Sequence, residues 1–320
     1  MQRILILQGG DRRQIDTGRA AVYFGKNRKK GKTKMAIQKK SCCGTSEAAT
    51  VQPKDIKEYV KERYSGRVKD PAERSCCGAT TGQLDAKVAL AAGYTEEQLA
   101  GLPAHAAEHS FGCGNPVALA GIRPGQTVLD IGSGAGIDVL LAARKVGPEG
   151  HVIGLDMTPE MIEAARRNAS EAGATNVEFR LGDAEEMPIE SGTADWIISN
   201  CVINLAPDKA KVFREAYRVL RRGGRILVSD IVTHDLPANV LRSLEAWAFC
   251  VAGALEEGDY IEAIRGAGFS EVETVARIDY DAETISAIAS EMESVPDGLA
   301  ALAPSLAGKV SSIKISAAKA

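Results

Sequence analysis

Cysteines are the side chains in this 320-residue sequence best suited to unusual chemistry, and there are seven. Thiolates bind soft ions, attack electrophiles and exchange electrons. Where a cell keeps thiols reduced, cysteines are more often ligands, redox groups or small core residues than structural cross-links. Four come as doublets in a repeated element, Ser41-Cys42-Cys43-Gly44 and Ser75-Cys76-Cys77-Gly78. The other three stand singly in longer strings. These are Phe111-Gly112-Cys113-Gly114, then Ser199-Asn200-Cys201-Val202-Ile203-Asn204-Leu205 with Pro207-Asp208-Lys209 behind it, and Trp247-Ala248-Phe249-Cys250-Val251-Ala252-Gly253-Ala254-Leu255.

A second set joins glycines to carboxylates. Asp130-Ile131-Gly132-Ser133-Gly134-Ala135-Gly136 follows an apolar run and precedes a helical pattern. Glycines there let the backbone turn sharply and approach a ligand, beside the free N–H groups of a helix start. Asp156 ends the next apolar run, where a carboxylate suits ribose hydroxyls, and Gly182-Asp183-Ala184 follows the third. The spacing is GxGxG rather than the dinucleotide pattern GxGxxG.

These groups need a frame, and periodicity supplies one from Gln126 onward. Strands are predicted at 127–131, 151–155, 177–181, 194–199 and 225–230. Helices are predicted at 137–146, 159–173 and 208–221, the last closed by Gly223 and Gly224. Such alternation predicts a mostly parallel, doubly wound α/β sheet with helices on both faces. Upstream, 54–66 reads as a charged helix, and Thr95 opens a short helix that stops before Gly101. Downstream of 236, helices at 240–251, 259–266 and 284–294 and a strand at 272–278 suggest a smaller α+β substrate domain. The last residues, with Lys314 and Lys319, read as a loose tail. Residues 1–40 carry a run of Arg and Lys with little apolar pattern and read as a disordered basic extension. The expected division is therefore 1–40, 41–235 and 236–320.

A net charge of −3 argues against nucleic-acid binding by the whole chain, and no apolar run is long enough to span a bilayer. The expected location is the cytoplasm.

The Asp130–Gly136 turn, Asp156, Gly182-Asp183-Ala184 and Tyr217-Arg218-Val219-Leu220 before Gly223-Gly224 together resemble class I S-adenosylmethionine methyltransferases over about 126–231. That resemblance implies that Asp130, Gly132, Ser133 and Gly134 hold the methionine end of the cofactor. Asp156 would hold the ribose, with Met157 against the adenine. Asp183 and Ala184 would read the adenine, and Asn200 would lie near the reactive methyl. The three single-cysteine strings narrow the resemblance to the arsenite methyltransferases, over about 54–275. It implies that Cys113, Cys201 and Cys250 ligate arsenic(III), which is soft and thiophilic. Three thiolates would leave the arsenic lone pair free as nucleophile, so positioning is the main catalytic device. In that family a cysteine of the region matched by Cys76 and Cys77 takes part in a disulfide step that returns oxidised arsenic to the trivalent state. Glutathione or thioredoxin would then supply electrons. Arsenite or methylarsenite, free or as a thiol conjugate, is the expected substrate. The family often has tyrosine where this chain has Phe111.

Two other readings use the same residues. A methyltransferase for a small organic acceptor, such as a quinone precursor, would keep the fold and leave the three cysteines idle. A thiol protein that sequesters metalloids would bind arsenite without turnover.

Overall fold

The computed structural model describes residues 5–6, 35–37, 49–51, 53–68, 90, 92–103, 105–106, 112–236, 250–251, 253–290 and 299–320. Cys42, Cys43, Cys76, Cys77, Phe111 and most of the helix expected at 240–251 lie outside them. Seven strands form the main sheet: β1 (Thr127–Ile131), β2 (His151–Asp156), β3 (Val177–Leu181), β4 (Ala194–Asn200), β5 (Leu220–Thr233), β6 (Ser270–Asp279) and β7 (Val310–Ala318). Their spatial order is β6-β7-β5-β4-β1-β2-β3, and the two-residue strand Leu5–Ile6 extends it beyond β6. All pairings from β3 across to β5 are parallel, and β7 runs antiparallel to both of its neighbours.

The helices are α1 (Pro53–Val68), α2 (Glu96–Ala100), α3 (Pro116–Leu119), α4 (Ile137–Val146), α5 (Pro159–Glu171), α6 (Lys209–Val219), α7 (Glu257–Gly266), α8 (Ala282–Ser290) and α9 (Leu299–Leu306). One core forms where α4 and α5 cover the sheet, around Val128, Leu140, Ile162 and Trp196. A second forms under α6 and α7, around Ile197, Phe213, Tyr260 and Ile264. Strands buried on both faces read as apolar runs, as 127–131 does, whereas the half-buried 177–181 reads as alternation, with Val177, Phe179 and Leu181 set against Glu178 and Arg180. Thr95 caps α2 in a two-way capping box with Gln98.

Two expectations need correction. The C-terminal residues are no loose tail, because β7 inserts between β5 and β6 over its whole length. Ser311, Ser312, Lys314 and Ser316 point polar groups into buried positions, so the strand lacks an apolar signature. The sheet thus runs across the boundary expected at 235/236. Also, α6 stops at Val219 and not near Arg221, because Leu220 is already extended (φ −64°, ψ 140°) and opens β5. Lys319 Nζ donates to the carbonyls of Tyr217 and Leu220, both at 2.6 Å. A cation at a helix C-terminus satisfies carbonyls that the helix leaves open.

Candidate active site

The connection from β3 to β4 crosses to the far side of β1, so the sheet's order reverses between β1 and β4. Open α/β sheets bind ligands at such a crevice, outside the carboxyl ends of the strands. A cleft with about 990 Å³ of unfilled space opens there. Asp130, Gly132, Ser133, Gly134, Asp156, Met157, Asp183, Ala184 and Asn200 all line it, as does Cys201. The nine residues expected to hold the cofactor therefore meet in one place.

The glycine turn is shaped by close packing on one side and space on the other. Gly132 has φ 73°, and a Cβ there would come within 2.1 Å of Val202. Gly134 has φ 51°, and a Cβ there would meet no atom. The turn is pinned to β2 because the N–H groups of Gly132 and Ser133 both donate to the Leu155 carbonyl, at 2.7 and 2.9 Å. Asp156 is oriented by two backbone donors, Gly134 N–H at 3.0 Å and Thr158 N–H at 2.9 Å.

Electrostatically the cleft is acidic. Burial, with the charges of Asp138 and Asp156 beside it, pushes Asp130 well above the usual carboxylate range, and burial also raises Asp156. Asp138 is pushed up to about 6 by burial, against the hydrogen bonds of Asn200 and Tyr94. Such a cradle suits a cationic guest. Ser133, a residue of the cleft lining, has a buried Oγ with no partner among the described residues. These features fit S-adenosylmethionine, whose methionyl end carries an ammonium and a sulfonium. Asp130, Ser133 and Gly134 would hold that end and Asp156 the ribose.

Three participants carried no legible signal. Tyr94 donates from its hydroxyl to Asp138 Oδ1 and Oδ2, at 2.9 and 3.0 Å. Asp138 itself resembles an ordinary acidic residue in a helix first turn. Lys57 of α1 reaches Asp183 at 2.5 Å and Glu185 at 3.0 Å. With Val60 and Tyr64, it makes α1 a wall of the cleft at the end where Asp183 lies.

Asn200 joins the cleft to the sulfur site. Its Nδ2 donates to the Gly114 carbonyl at 2.6 Å, and the Gly114 N–H donates to its Oδ1 at 3.1 Å. The same Nδ2 lies 3.1 Å from Asp138 Oδ2. Both flanking glycines are sterically required. A Cβ at Gly112 would fall 2.2 Å from Asn200 Nδ2, and one at Gly114 would fall 2.1 Å from Ser229 Oγ.

The three expected cysteines converge, and two of them are covalently joined. Cys113 and Cys201 form a disulfide, with their Cα atoms 5.8 Å apart. The expectation of three separate thiolates therefore does not describe this state, in which neither sulfur has a free valence for arsenic. Cys250 is a buried free thiol, and its Sγ–H donates to the Cys201 carbonyl at 2.7 Å. Burial, with Asp230 nearby, raises its pKa well above the usual thiol range. Beside it lies a buried polar group. Tyr260 Oη donates to Asp230 Oδ2 at 2.8 Å, and Lys209 Nζ donates to the carbonyls of Asn204 and Ala206. Burial pushes Asp230 up to about 7 and Lys209 down to about 8, each opposed by the other's charge. Lys314 of β7 donates to Ser312 Oγ at 2.9 Å and lies 3.5 Å from the Cys113 carbonyl.

Comparison with known proteins narrows the family. A methyltransferase-domain family profile matches residues 122–277. The chain is 44% identical over 246 residues to an arsenite methyltransferase of Halobacterium salinarum, covering 73% of this chain and 62% of that protein. It is 35% identical over 222 residues to an arsenite methyltransferase of Aquipseudomonas alcaligenes, covering 66% and 61%. Among solved structures it is similar to an arsenic(III) S-adenosylmethionine methyltransferase from Chlamydomonas reinhardtii. That match has a TM-score of 0.55 and 31% identity, and covers 76% of this chain and 75% of the other. The chain spans about three fifths of the length of the curated relatives it matches. Among the described residues no helix is long and apolar enough to cross a membrane.

Proposed function

This chain belongs to the arsenic(III) S-adenosylmethionine methyltransferase family, and we propose that it transfers methyl groups from S-adenosylmethionine to trivalent arsenic held by Cys113, Cys201 and Cys250. The observation that carries this reading is the place of Cys201. It lines the cofactor cleft, is joined to Cys113 and accepts the Cys250 thiol on its backbone carbonyl. Soft sulfur donors are thus gathered beside a cleft suited to a cationic nucleoside. When bound, S-adenosylmethionine supplies an electrophilic methyl group on a sulfonium.

The protein's part is binding and aim. Thiolates at 113, 201 and 250 hold arsenic with its lone pair uncovered, and Asn200 fixes the Cys113 loop relative to the cleft. No general base is needed at arsenic, since no proton leaves the attacking atom. Distance and direction carry the rate.

The disulfide gives the reductant a defined task. Opening Cys113–Cys201 takes two electrons and two protons and yields two S–H groups, for which thiols of the glutathione or thioredoxin kind are suited. Each methyl transfer spends the arsenic lone pair and raises arsenic formally from III to V. Two thiols return those electrons by joining as a disulfide. Cys76 or Cys77 serves in that step, and the cytoplasm, where such reductants are kept, is its setting.

Single Cys113→Ser, Cys201→Ser and Cys250→Ser proteins test the assignment. Cofactor binding, read by calorimetry, is expected to survive in each, while arsenic methylation is lost. Full methylation by all three variants would contradict it.

A further inference from the structure

We infer that Asp230 recognises a hydroxyl on arsenic and so separates arsenite from methylarsenite at the sulfur site. This rests on the reading of that site proposed above. Asp230 stands in β5 and is 1% exposed. Its Oδ2 accepts from Tyr260, and the backbone N–H groups of Ile231 and Asn204 lean on the carboxylate, but its Oδ1 makes no well-formed hydrogen bond among the described residues. A buried carboxylate oxygen without a partner is costly, and native structures keep such groups where something else satisfies them.

The surroundings indicate what that is. A carboxylate oxygen of Asp230, Cys201 Sγ and Cys250 Sγ all lie within 4.8 Å of one another, and all three residues are buried. An atom bonded to both sulfurs therefore sits beside the carboxylate. No other group of three His, Cys, Asp or Glu ligands is found among the described residues.

Arsenite carries three hydroxyls. Condensation with the Cys201 and Cys250 thiols forms two As–S bonds, breaks two As–O bonds and releases two waters. One As–OH remains, and it donates to Asp230 Oδ1. Methylarsenite carries only two hydroxyls. The same two condensations remove both, leaving nothing for the carboxylate to accept. Cys113, once reduced, displaces the last hydroxyl of arsenite as a third water. Asp230 therefore acts before the third thiolate engages, and it acts on the inorganic substrate alone.

The test uses full-length Cys113→Ser protein, with and without Asp230→Asn, so that the third condensation is blocked and one As–OH stays on bound arsenite. The protein is reduced with a phosphine that does not itself hold arsenic. Equilibrium dialysis against arsenite and against methylarsenite is read by elemental mass detection. Asp230→Asn is expected to weaken arsenite binding by roughly tenfold to a hundredfold, the effect of losing a hydrogen bond to a charged group, and to leave methylarsenite binding nearly unchanged. Equal losses for both arsenicals, or no loss for either, would overturn the inference. A second measurement keeps Asp230 intact. X-ray absorption on arsenite-loaded Cys113→Ser protein should find two sulfurs and one oxygen on arsenic, and the same protein with methylarsenite should find two sulfurs and no oxygen. An arsenite complex without oxygen would also overturn it. Wild-type protein that binds neither arsenical would instead contradict the arsenic site itself.

Discussion

Cys201 and Cys250 both hold left-handed backbone conformations, φ 60° and 62°, and the Cys250 thiol donates to the Cys201 carbonyl at 2.7 Å. Non-glycine residues rarely adopt this region, and such positions cluster at functional sites where the surroundings enforce them. Here the enforcement brings two sulfurs from segments 49 positions apart to one point. A third sulfur joins through the Cys113–Cys201 bond.

The cysteines should therefore differ in reactivity. Alkylation of oxidised native protein is expected to spare Cys250 because it is buried, and Cys113 and Cys201 because they are joined. Denaturation without reductant should expose only Cys250 of these three. Reduction should then release the other two. Peptide mass mapping reads all three states, and prompt labelling of Cys250 in the native protein would contradict the geometry.

Asn200 is expected to matter through Gly114. Asn200→Ala removes the two-way bond with that residue and one contact to Asp138. Stability should fall by about 2 kcal/mol, the scale for buried polar groups left without partners. Methylation should slow because the Cys113 loop loses its anchor, while arsenite still binds to reduced protein. Unchanged turnover would remove Asn200 from the account.

Gly114→Ala tests the loop from the other side. Its Cβ would fall 2.1 Å from Ser229 Oγ and 2.7 Å from Lys314 Cε. Overpacking of this kind costs about 1–3 kcal/mol. Chemical denaturation should show that loss, and β7 should be where hydrogen exchange quickens.

Much of this was legible in the residues, and the gaps have physical causes. The Asp130–Gly136 turn was readable because positive φ and close approach demand glycine. Strands β1, β2 and β4 were readable because both of their faces are buried, and β3 because its apolar and charged residues alternate. β7 was not, since serines and Lys314 fill its buried positions and the pattern looks polar. Tyr94 was silent because its partner Asp138 is 44 residues away and resembles a helix-start acid. The disulfide was equally silent, since separation in sequence says nothing of which thiols meet.

Asp138 sets a pH dependence with a definite sign. Its folded pKa of about 6 lies above the ordinary value of 3.8. Between these values the native chain keeps a proton that the unfolded chain has released. This group's contribution to stability therefore falls as pH rises through that window, and the loss persists above it. Asp138→Asn keeps an acceptor for Tyr94 and removes the titration. Relative to that variant, wild type should lose roughly 2 kcal/mol between pH 4 and 6. Parallel curves from urea unfolding would contradict the burial that raises it.

The central claim is arsenic methylation, and one assay meets it directly. Purified protein is incubated with arsenite, S-adenosylmethionine and a thiol reductant, and arsenic species are separated by chromatography with elemental mass detection. Methylated arsenic should form only when all three additions are present. A protein that binds the cofactor and arsenite under these conditions, yet yields no methylated arsenic, would contradict the account.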